Sequence, residues 1–167
     1  MIVTGLLLQS LAVAQVPIEA PPAAPVYASS ERQGGSFGLG VTMGTPTGIT
    51  ARLWFSRDSA IQFSGGGNLG QQGSLTGSMD YITALEHLSE DEGNYFITTY
   101  AGVGVGFDSL FETNSTRMSF GPRLVGGALV TLPTLPIDIF IQVSPTIFVV
   151  ENLSWSMGGQ IGAHYYL

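Results

Sequence analysis

The stretch Leu153–Leu167, which reads LSWSMGGQIGAHYYL, alternates between two kinds of position along its whole length. Its odd positions carry Leu153, Trp155, Met157, Gly159, Ile161, Ala163, Tyr165 and Leu167, and its even positions carry Ser154, Ser156, Gly158, Gln160, Gly162, His164 and Tyr166. Because successive side chains of a β-strand point to opposite faces, this period of two predicts a strand with one apolar and one polar face. A transmembrane strand tilted by roughly 45° needs about 9–11 residues. The stretch is therefore long enough to cross a bilayer.

The same alternation recurs from Ser36 onward and predicts eight strands. Their predicted bounds are Ser36–Gly44, Ile49–Phe55, Ala60–Leu69, Ser74–Leu88, Tyr95–Phe107, Thr116–Leu132, Ile137–Val149 and Leu153–Leu167. The segments between them are rich in Gly, Pro, Ser and Asp, which favour turns. Asp108–Ser115 is the longest predicted loop, and we expect Phe111 to be exposed in it.

The composition of the polar face decides which side of the sheet is inside. Eight up-and-down strands form either a soluble barrel with an apolar interior or a membrane barrel with an apolar exterior. Here the polar face is mostly Gly, Ser and Thr, and only 10% of all residues are charged, against about 25% in soluble domains. Such a face fits a narrow interior, where it leaves room for Trp54, Tyr100, Phe140 and Tyr166. We predict an all-β, eight-stranded antiparallel up-and-down transmembrane β-barrel.

An even number of strands returns both ends of a barrel to the same side of the membrane. We expect both termini in the periplasm and the outward turns at Pro46–Gly48, Gly70–Gly73, Asp108–Ser115 and Val150–Asn152. Residues 1–14 are predicted to be a signal peptide, because an apolar run ends in a small-x-small sequence, Ala12-Val13-Ala14. Residues 15–35 are predicted to be a Pro-rich periplasmic tail, and residues 36–167 are predicted to form the barrel. A buried amino-terminal helix is the alternative for the first segment.

Composition also argues against several functional classes. A net charge of −7, with five Arg and no Lys, disfavours nucleic acid as a partner. The absence of Cys excludes disulfides, thiol nucleophiles and cysteine-ligated metals. The glycines Gly102, Gly104 and Gly106 lie inside a predicted strand, which is the wrong context for a phosphate-binding loop. The acidic run Glu90–Glu92 lacks the alternating ligand spacing of a calcium loop. We predict neither a cofactor nor a metal.

Seven segments spread over the predicted barrel carry a family resemblance. They are Gly38-Leu39-Gly40, Gly44-Thr45-Pro46-Thr47-Gly48-Ile49, Leu53-Trp54, Asp80-Tyr81, Pro136-Ile137-Asp138-Ile139-Phe140, Ser144-Pro145 and Gly162-Ala163-His164-Tyr165-Tyr166-Leu167. Together they resemble a family of small bacterial outer-membrane β-barrels of unknown function, with OmpA/OmpX-like architecture. The chain departs from that pattern at Thr45 and Gln142, where the family more often has an acid, and at Leu167, where it has Phe. The resemblance implies an outer-membrane location, with Tyr165 and Leu167 as the terminal signal for the barrel-assembly machinery, and it implies no particular activity.

Candidate chemistry is confined to scattered polar residues. His87 falls on the lipid-facing parity, where a partly solvated interfacial side chain is the ordinary interpretation. A lipid-modifying enzyme that pairs such a His with a Ser is the alternative, although no Ser has the sequence context of a nucleophile. The predicted charged and polar interior residues are Arg52, Asp80, Glu86, Arg123, Asp138 and His164. They either pair with one another or line a thin pore, and pairing is favoured because side chains about fill an eight-stranded interior.

The last hairpin allows a specific contact to be predicted. If it turns about Glu151, Asp138 and His164 lie directly opposite each other on the inward face. Their Cβ atoms would then be about 4.5–5.5 Å apart, so that the carboxylate can orient the imidazole. A proton-linked gate is the functional alternative for this pair.

The sequence thus predicts an integral outer-membrane protein with a structural or surface-exposed role, no enzymatic activity and at most a narrow pore. Its predicted partners are outer-membrane lipid, lipopolysaccharide and the barrel-assembly machinery. A porin-like channel for small solutes and a lipid-modifying enzyme are the alternative functions.

Overall fold

The computed structural model describes residues 35–68, 73–90, 95–112, 115–149 and 153–167. These residues form eight β-strands, which are β1 (Phe37–Gly44), β2 (Gly48–Trp54), β3 (Ser59–Asn68), β4 (Gly73–Glu90), β5 (Phe96–Glu112), β6 (Ser115–Leu132), β7 (Ile137–Phe148) and β8 (Ser154–Tyr166). Each strand pairs antiparallel with its neighbours in chain order, and β1 pairs with β8 to close the barrel. The predicted fold class is confirmed. No helix long and apolar enough to cross a membrane occurs within the described ranges.

The predicted loop between β5 and β6 is wrong over most of its length. β5 continues to Glu112 and β6 begins at Ser115, so nearly all of Asp108–Ser115 is strand. Asp108 is the polar residue that suggested a loop. Its side chain is hydrogen-bonded to the neighbouring strand β4, because the Thr76 hydroxyl donates to Asp108 Oδ1 at 2.9 Å. Phe111 is exposed, as predicted, but it lies on the extended β5.

The alternation of β4 is interrupted near the end that lies beside the termini. Its register against β5 shifts between Ala84 and Glu86, and again between His87 and Ser89. A bulge adds a residue to one strand and changes which face the following residues occupy. Simple counting therefore does not establish the facing of Glu86 and His87. The side chains of both residues lie outside the described part of the molecule.

Other predictions also lie outside the described residues. They concern the signal peptide, the tail up to residue 34, and the turn residues 69–72, 91–94, 113–114 and 150–152. Gly35, the last residue of the predicted tail, is described, and its amide donates to the Leu167 carbonyl at 2.8 Å. The two ends of the described barrel therefore lie side by side at one rim.

The facing of the strands is the reverse of that in a soluble barrel. The outward residues Ile49 and Trp155 are 74% and 75% exposed, whereas the inward Arg52, Asp80 and Asp138 are fully buried. The prediction that apolar residues keep to the outward parity does not hold at every position among the described residues. Ala60, Ile82, Val125 and Leu129 are buried on the inward side. They pack against the inward aromatic rings and fill space that small polar residues would leave open.

Inward glycines provide the room that the large rings need. A Cβ added at Gly38 would lie 2.9 Å from the Tyr166 ring, and one added at Gly162 would lie 2.7 Å from the Phe140 ring. Such distances are shorter than real carbon contacts, so only a residue without a side chain fits beneath each ring. The glycine-rich polar face is thus complementary to the aromatic residues of the neighbouring strands.

Candidate functional site in the barrel interior

A buried arginine lies inside the barrel, closer to the rim at which the two termini lie. Arg52 on β2 has no solvent exposure, and its Nη1 lies 3.4 Å from Asp138 Oδ2. Its Nε donates to Gln62 Oε1 at 3.0 Å, and its Nη2 donates to the same oxygen. The guanidinium also lies 5.1 Å from the Phe140 ring centroid and 5.4 Å from that of Tyr100, within cation–π range. The cation is therefore paired, hydrogen-bonded and enclosed by aromatic rings.

The partner carboxylate is held from three directions. Asp138 Oδ1 lies 3.0 Å from His164 Nδ1, and Tyr166 donates to Asp138 Oδ2 at 2.6 Å. Trp54 Nε1 in turn donates to the Tyr166 hydroxyl oxygen at 2.9 Å. Asp138 and His164 are directly opposed, so the structure has the β7–β8 register predicted from the sequence. A charge-assisted network with this many partners fixes side chains of three strands, β2, β7 and β8.

Glutamine side chains extend this network toward the opposite rim. Gln62 Nε2 donates to Gln142 Oε1 at 3.0 Å, and the Tyr100 hydroxyl donates to the same oxygen at 3.0 Å. Gln142 Nε2 donates to Gln160 Oε1, and Gln160 Nε2 donates to the Pro46 carbonyl at 3.4 Å. Each amide both donates and accepts, so the chain of bonds continues from Arg52 to the first turn of the barrel. Gln142 needs its amide for this, since a carboxylate there could not donate.

A second ion pair lies farther from the termini. Arg123 Nε on β6 and Asp80 Oδ1 on β4 are 3.0 Å apart, and Ser78 donates to Asp80 Oδ2 at 3.2 Å. Between them stands Gly104 on β5, which is directly opposite both residues. A Cβ at Gly104 would collide with the Asp80 carboxylate, so the glycine lets two residues that are two strands apart meet.

Three members of the two ion pairs, Arg52, Asp80 and Arg123, belong to a single row of opposed residues. Arg52 pairs with Gln62, Gln62 with Asp80, Asp80 with Gly104, and Gly104 with Arg123. Because barrel strands are tilted, such a row climbs along the barrel as it crosses successive strands. The row begins beside Tyr166 near the termini and ends beside a cavity of about 30 Å³ lined by Pro46 of the first turn. Strand tilt therefore places the two pairs at different heights.

One set of contacts runs from a carboxylate to an imidazole to a hydroxyl, which is the order of groups in a hydrolase triad. It consists of Asp138, His164 and Thr50, but its geometry is that of a structural network. His164 Nε2 lies 3.1 Å from Thr50 Oγ1, which is 3.2 Å from Ser64 Oγ. The Thr50 hydroxyl donates to the Phe63 carbonyl at 2.9 Å, so its hydrogen is engaged with the backbone. Thr50 and Ser64 are both buried. A nucleophile must present its oxygen to a substrate, and neither hydroxyl does so.

The structure thus brings Arg52, Asp138 and His164 into one cluster and Asp80 and Arg123 into another. Tyr165 and Leu167 are exposed on the outward side at the end of β8. No cluster of metal-ligating side chains occurs in the portion of the chain that the structure describes. Sequence reasoning missed the roles of Gln62, Gln142, Gln160 and Tyr100. The sequence did contain a signal for the three glutamines, because each lies on the inward parity of its strand.

Strand pairing and facing together define an eight-stranded antiparallel β-barrel with an apolar exterior and a hydrogen-bonded polar interior. No protein-family model matches the sequence, and no curated protein matches it. Among solved structures, the chain is similar to the N-terminal β-barrel domain of Pseudomonas aeruginosa OprF, with 13% sequence identity and a TM-score of 0.49. The similarity covers 80% of this chain and 100% of that domain. The assignment of the fold rests on the strand pairing of the chain itself.

Proposed function

We propose that the chain is an integral outer-membrane β-barrel protein with a structural or surface-exposed role, no enzymatic activity and at most a narrow pore. The observation that carries the proposal is the inverted facing of the barrel. Large apolar side chains such as Val41, Leu124 and Ile141 are exposed over its outer wall, while Arg52, Asp80 and Asp138 are buried in its interior. This arrangement is unfavourable in water and favourable in hydrocarbon.

The closed hydrogen-bonded sheet supports the same conclusion. In a bilayer core no water is present to bind unpaired amides and carbonyls, so only helices and closed barrels can span it. β1 and β8 pair through seven opposed residue pairs, which leaves no open edge between the first and last strands. Closed single-chain membrane barrels of even strand number are typical of outer membranes. We place both termini on the periplasmic side, together with the exposed Tyr165 and Leu167 that we propose for recognition by the assembly machinery.

The packing of the interior supports a structural role over a pore. Arg52, Tyr100, Phe140, Gln62 and Gln142 are among the largest fully buried side chains, and they bond to or stack on one another across the barrel axis. A solute would have to break a buried ion pair and several hydrogen bonds in order to pass, which costs several kcal/mol, about 3–5 for the ion pair alone. The outer wall is in contact with outer-membrane lipid and lipopolysaccharide in this proposal.

The test combines membrane insertion with electrical recording. Purified protein is refolded into lipid vesicles, and heat-modifiable migration on a gel reports whether the barrel has formed. The same protein is then fused into planar bilayers for single-channel recording. We expect migration typical of a folded barrel and no discrete conductance steps.

Three results would contradict the proposal. Recovery of the folded protein in solution without detergent or lipid would indicate a soluble barrel. Regular conductance steps would favour the small-solute pore, and loss of acyl chains from added lipid A would favour a lipid-modifying enzyme.

A further inference from the structure

A broad groove lies on the outer wall of the barrel, mostly in the half away from the termini. Its volume is about 1420 Å³, and its floor includes the outward glycines Gly65 and Gly67 of β3 and Gly77 of β4. The large exposed side chains around this floor are apolar, and several are aromatic, such as Phe63 and Phe107. None of the described residues that line the groove is charged. We refer to this feature as the glycine groove.

The glycine groove exists because side chains are missing from one row of the wall. Gly65 is directly opposite Gly77 on one side and Ile49 on the other. A Cβ added at Gly65 would meet no atom within 4 Å, so the space above it is open. Gly77 is different, because the ring of the opposed Phe107 lies against it and closes the floor on that side. A concave surface thus lies where the wall of a barrel is ordinarily convex.

We propose that the glycine groove binds an acyl chain of a lipopolysaccharide molecule. The inference rests on the proposed function, because the groove faces hydrocarbon only if the barrel spans the outer membrane with its termini in the periplasm. In that orientation the floor lies in the outer leaflet. A water molecule would find no hydrogen-bond partners in an apolar groove, and an empty groove would lose van der Waals contacts on every side. A flexible saturated chain can follow the curved floor and restore those contacts.

Two other occupants fit the surface less well. A second copy of the chain would meet this one through a two-fold interface, in which the same patch faces itself. Two concave patches placed face to face leave a void between them, so they pack poorly. A charged peptide segment or a lipid headgroup would find no partner for its charge in the groove. The acyl chain is the occupant that matches both the shape and the chemistry.

Outward glycines elsewhere on the barrel supply a matched control. Gly126 on β6 also has no atom within 4 Å of an added Cβ, but it does not line the glycine groove. Leu at either position adds the same apolar side chain to the same lipid-facing wall. Only Gly65→Leu fills the groove.

The experiment is native mass spectrometry of protein extracted from outer membranes in mild detergent. We expect the unaltered protein and Gly126→Leu to retain one bound lipopolysaccharide molecule, and Gly65→Leu to retain it several-fold less often. Heat-modifiable migration establishes that each variant has formed its barrel. If Gly65→Leu does not form one, Gly65→Ala replaces it, with a smaller but measurable loss expected.

Three results would overturn the inference. Equal retention of lipid by Gly65→Leu and Gly126→Leu would mean that the groove holds no particular chain. A bound phospholipid in place of lipopolysaccharide would remove the assignment to the outer leaflet. A dimer that Gly65→Leu dissociates would assign the groove to a second copy. Failure of the proposed function is distinguishable from all three, since the protein would then be recovered without any membrane extraction.

Discussion

The two buried ion pairs differ in how completely their surroundings satisfy them. Arg52 and Asp138 are both fully buried, and Asp138 accepts hydrogen bonds from Tyr166 and from the imidazole of His164 in addition to its contact with Arg52. Arg123 is 6% exposed, and its Nη2 has no hydrogen-bond partner among the described residues. The first pair is embedded in a network, whereas the second is joined mainly to its own partner.

The spaces around the two pairs explain this difference. Aromatic rings enclose the guanidinium of Arg52. Arg123 instead lines the cavity of about 30 Å³, which is large enough for a water molecule. Ser144, whose hydroxyl also lacks a partner among the described residues, lines the same cavity. The comparison shows that the pair near the termini joins side chains of β2, β7 and β8 through a complete set of bonds, while polar atoms near the other rim lack partners among the described residues.

The largest expected effect is the loss of the embedded carboxylate. Asp138→Ala leaves Arg52 charged and buried without its partner, so the free energy of unfolding should fall by about 3–5 kcal/mol. Asp80→Ala is the matched control, and it should cost distinctly less because water can reach Arg123 through the neighbouring cavity. Urea titration of protein refolded into vesicles measures both values. Equal losses of unfolding free energy for the two variants would contradict the distinction between the two ion pairs.

A charged side chain on the outward face of the barrel should be destabilising, whichever ion pair lies behind it. Val103 and Ile141 are exposed on the outward face, and an Arg at either position should lower the free energy of unfolding by about 2–4 kcal/mol in a bilayer. The inward neighbour Gly102 should respond to size, because a Cβ there would lie 3.0 Å from Ile82 Cγ2. Val103→Leu is the control for size alone. An Arg tolerated at Val103 in the same titration would mean that this face does not meet lipid.

The network around Asp138 should show direct coupling to His164. A double-mutant cycle with Asp138→Ala, His164→Ala and the double variant should give an interaction energy of about 1–3 kcal/mol, since the two groups are bonded and buried. The outward pair Ile141 and Ile161 is directly opposed on the same hairpin and supplies the control. Its coupling should stay below about 1 kcal/mol. A value near zero for the inward pair would show that the contact contributes nothing to stability.

The smallest expected effect lies beside the second pair. Ser144→Ala removes a buried hydroxyl that has no partner among the described residues, so the free energy of unfolding should change by less than about 0.5 kcal/mol. Thr50→Ala is the control in the first region, where the hydroxyl contacts His164 and the Phe63 carbonyl. That variant should cost about 1–3 kcal/mol. A large loss for Ser144→Ala would mean that the second region is as completely bonded as the first.

Much of the fold was predictable because it depends on local alternation. A period of two establishes the strands, and the chemistry of the two faces establishes which one is inside. The bounds of β7 and β8 agree with the prediction to within a residue at each end, and the contact between Asp138 and His164 followed from counting across one hairpin. An error occurred where alternation was insufficient, at the strand extension through Asp108. Alternation also gave no indication of the bulges of β4.

The sequence by itself determined that the chain forms a barrel, which face is apolar and which residue types line the interior. Only the tertiary structure decided which interior residues meet. Asp80 and Arg123 join across Gly104, and Gln62 links Arg52 to Gln142, because strand tilt and barrel closure bring distant positions to one height. Alternation along a strand specifies which face of the sheet a side chain occupies, but not its position along the barrel axis. The relative heights of eight strands are set jointly when the sheet closes, so no single segment contains that information.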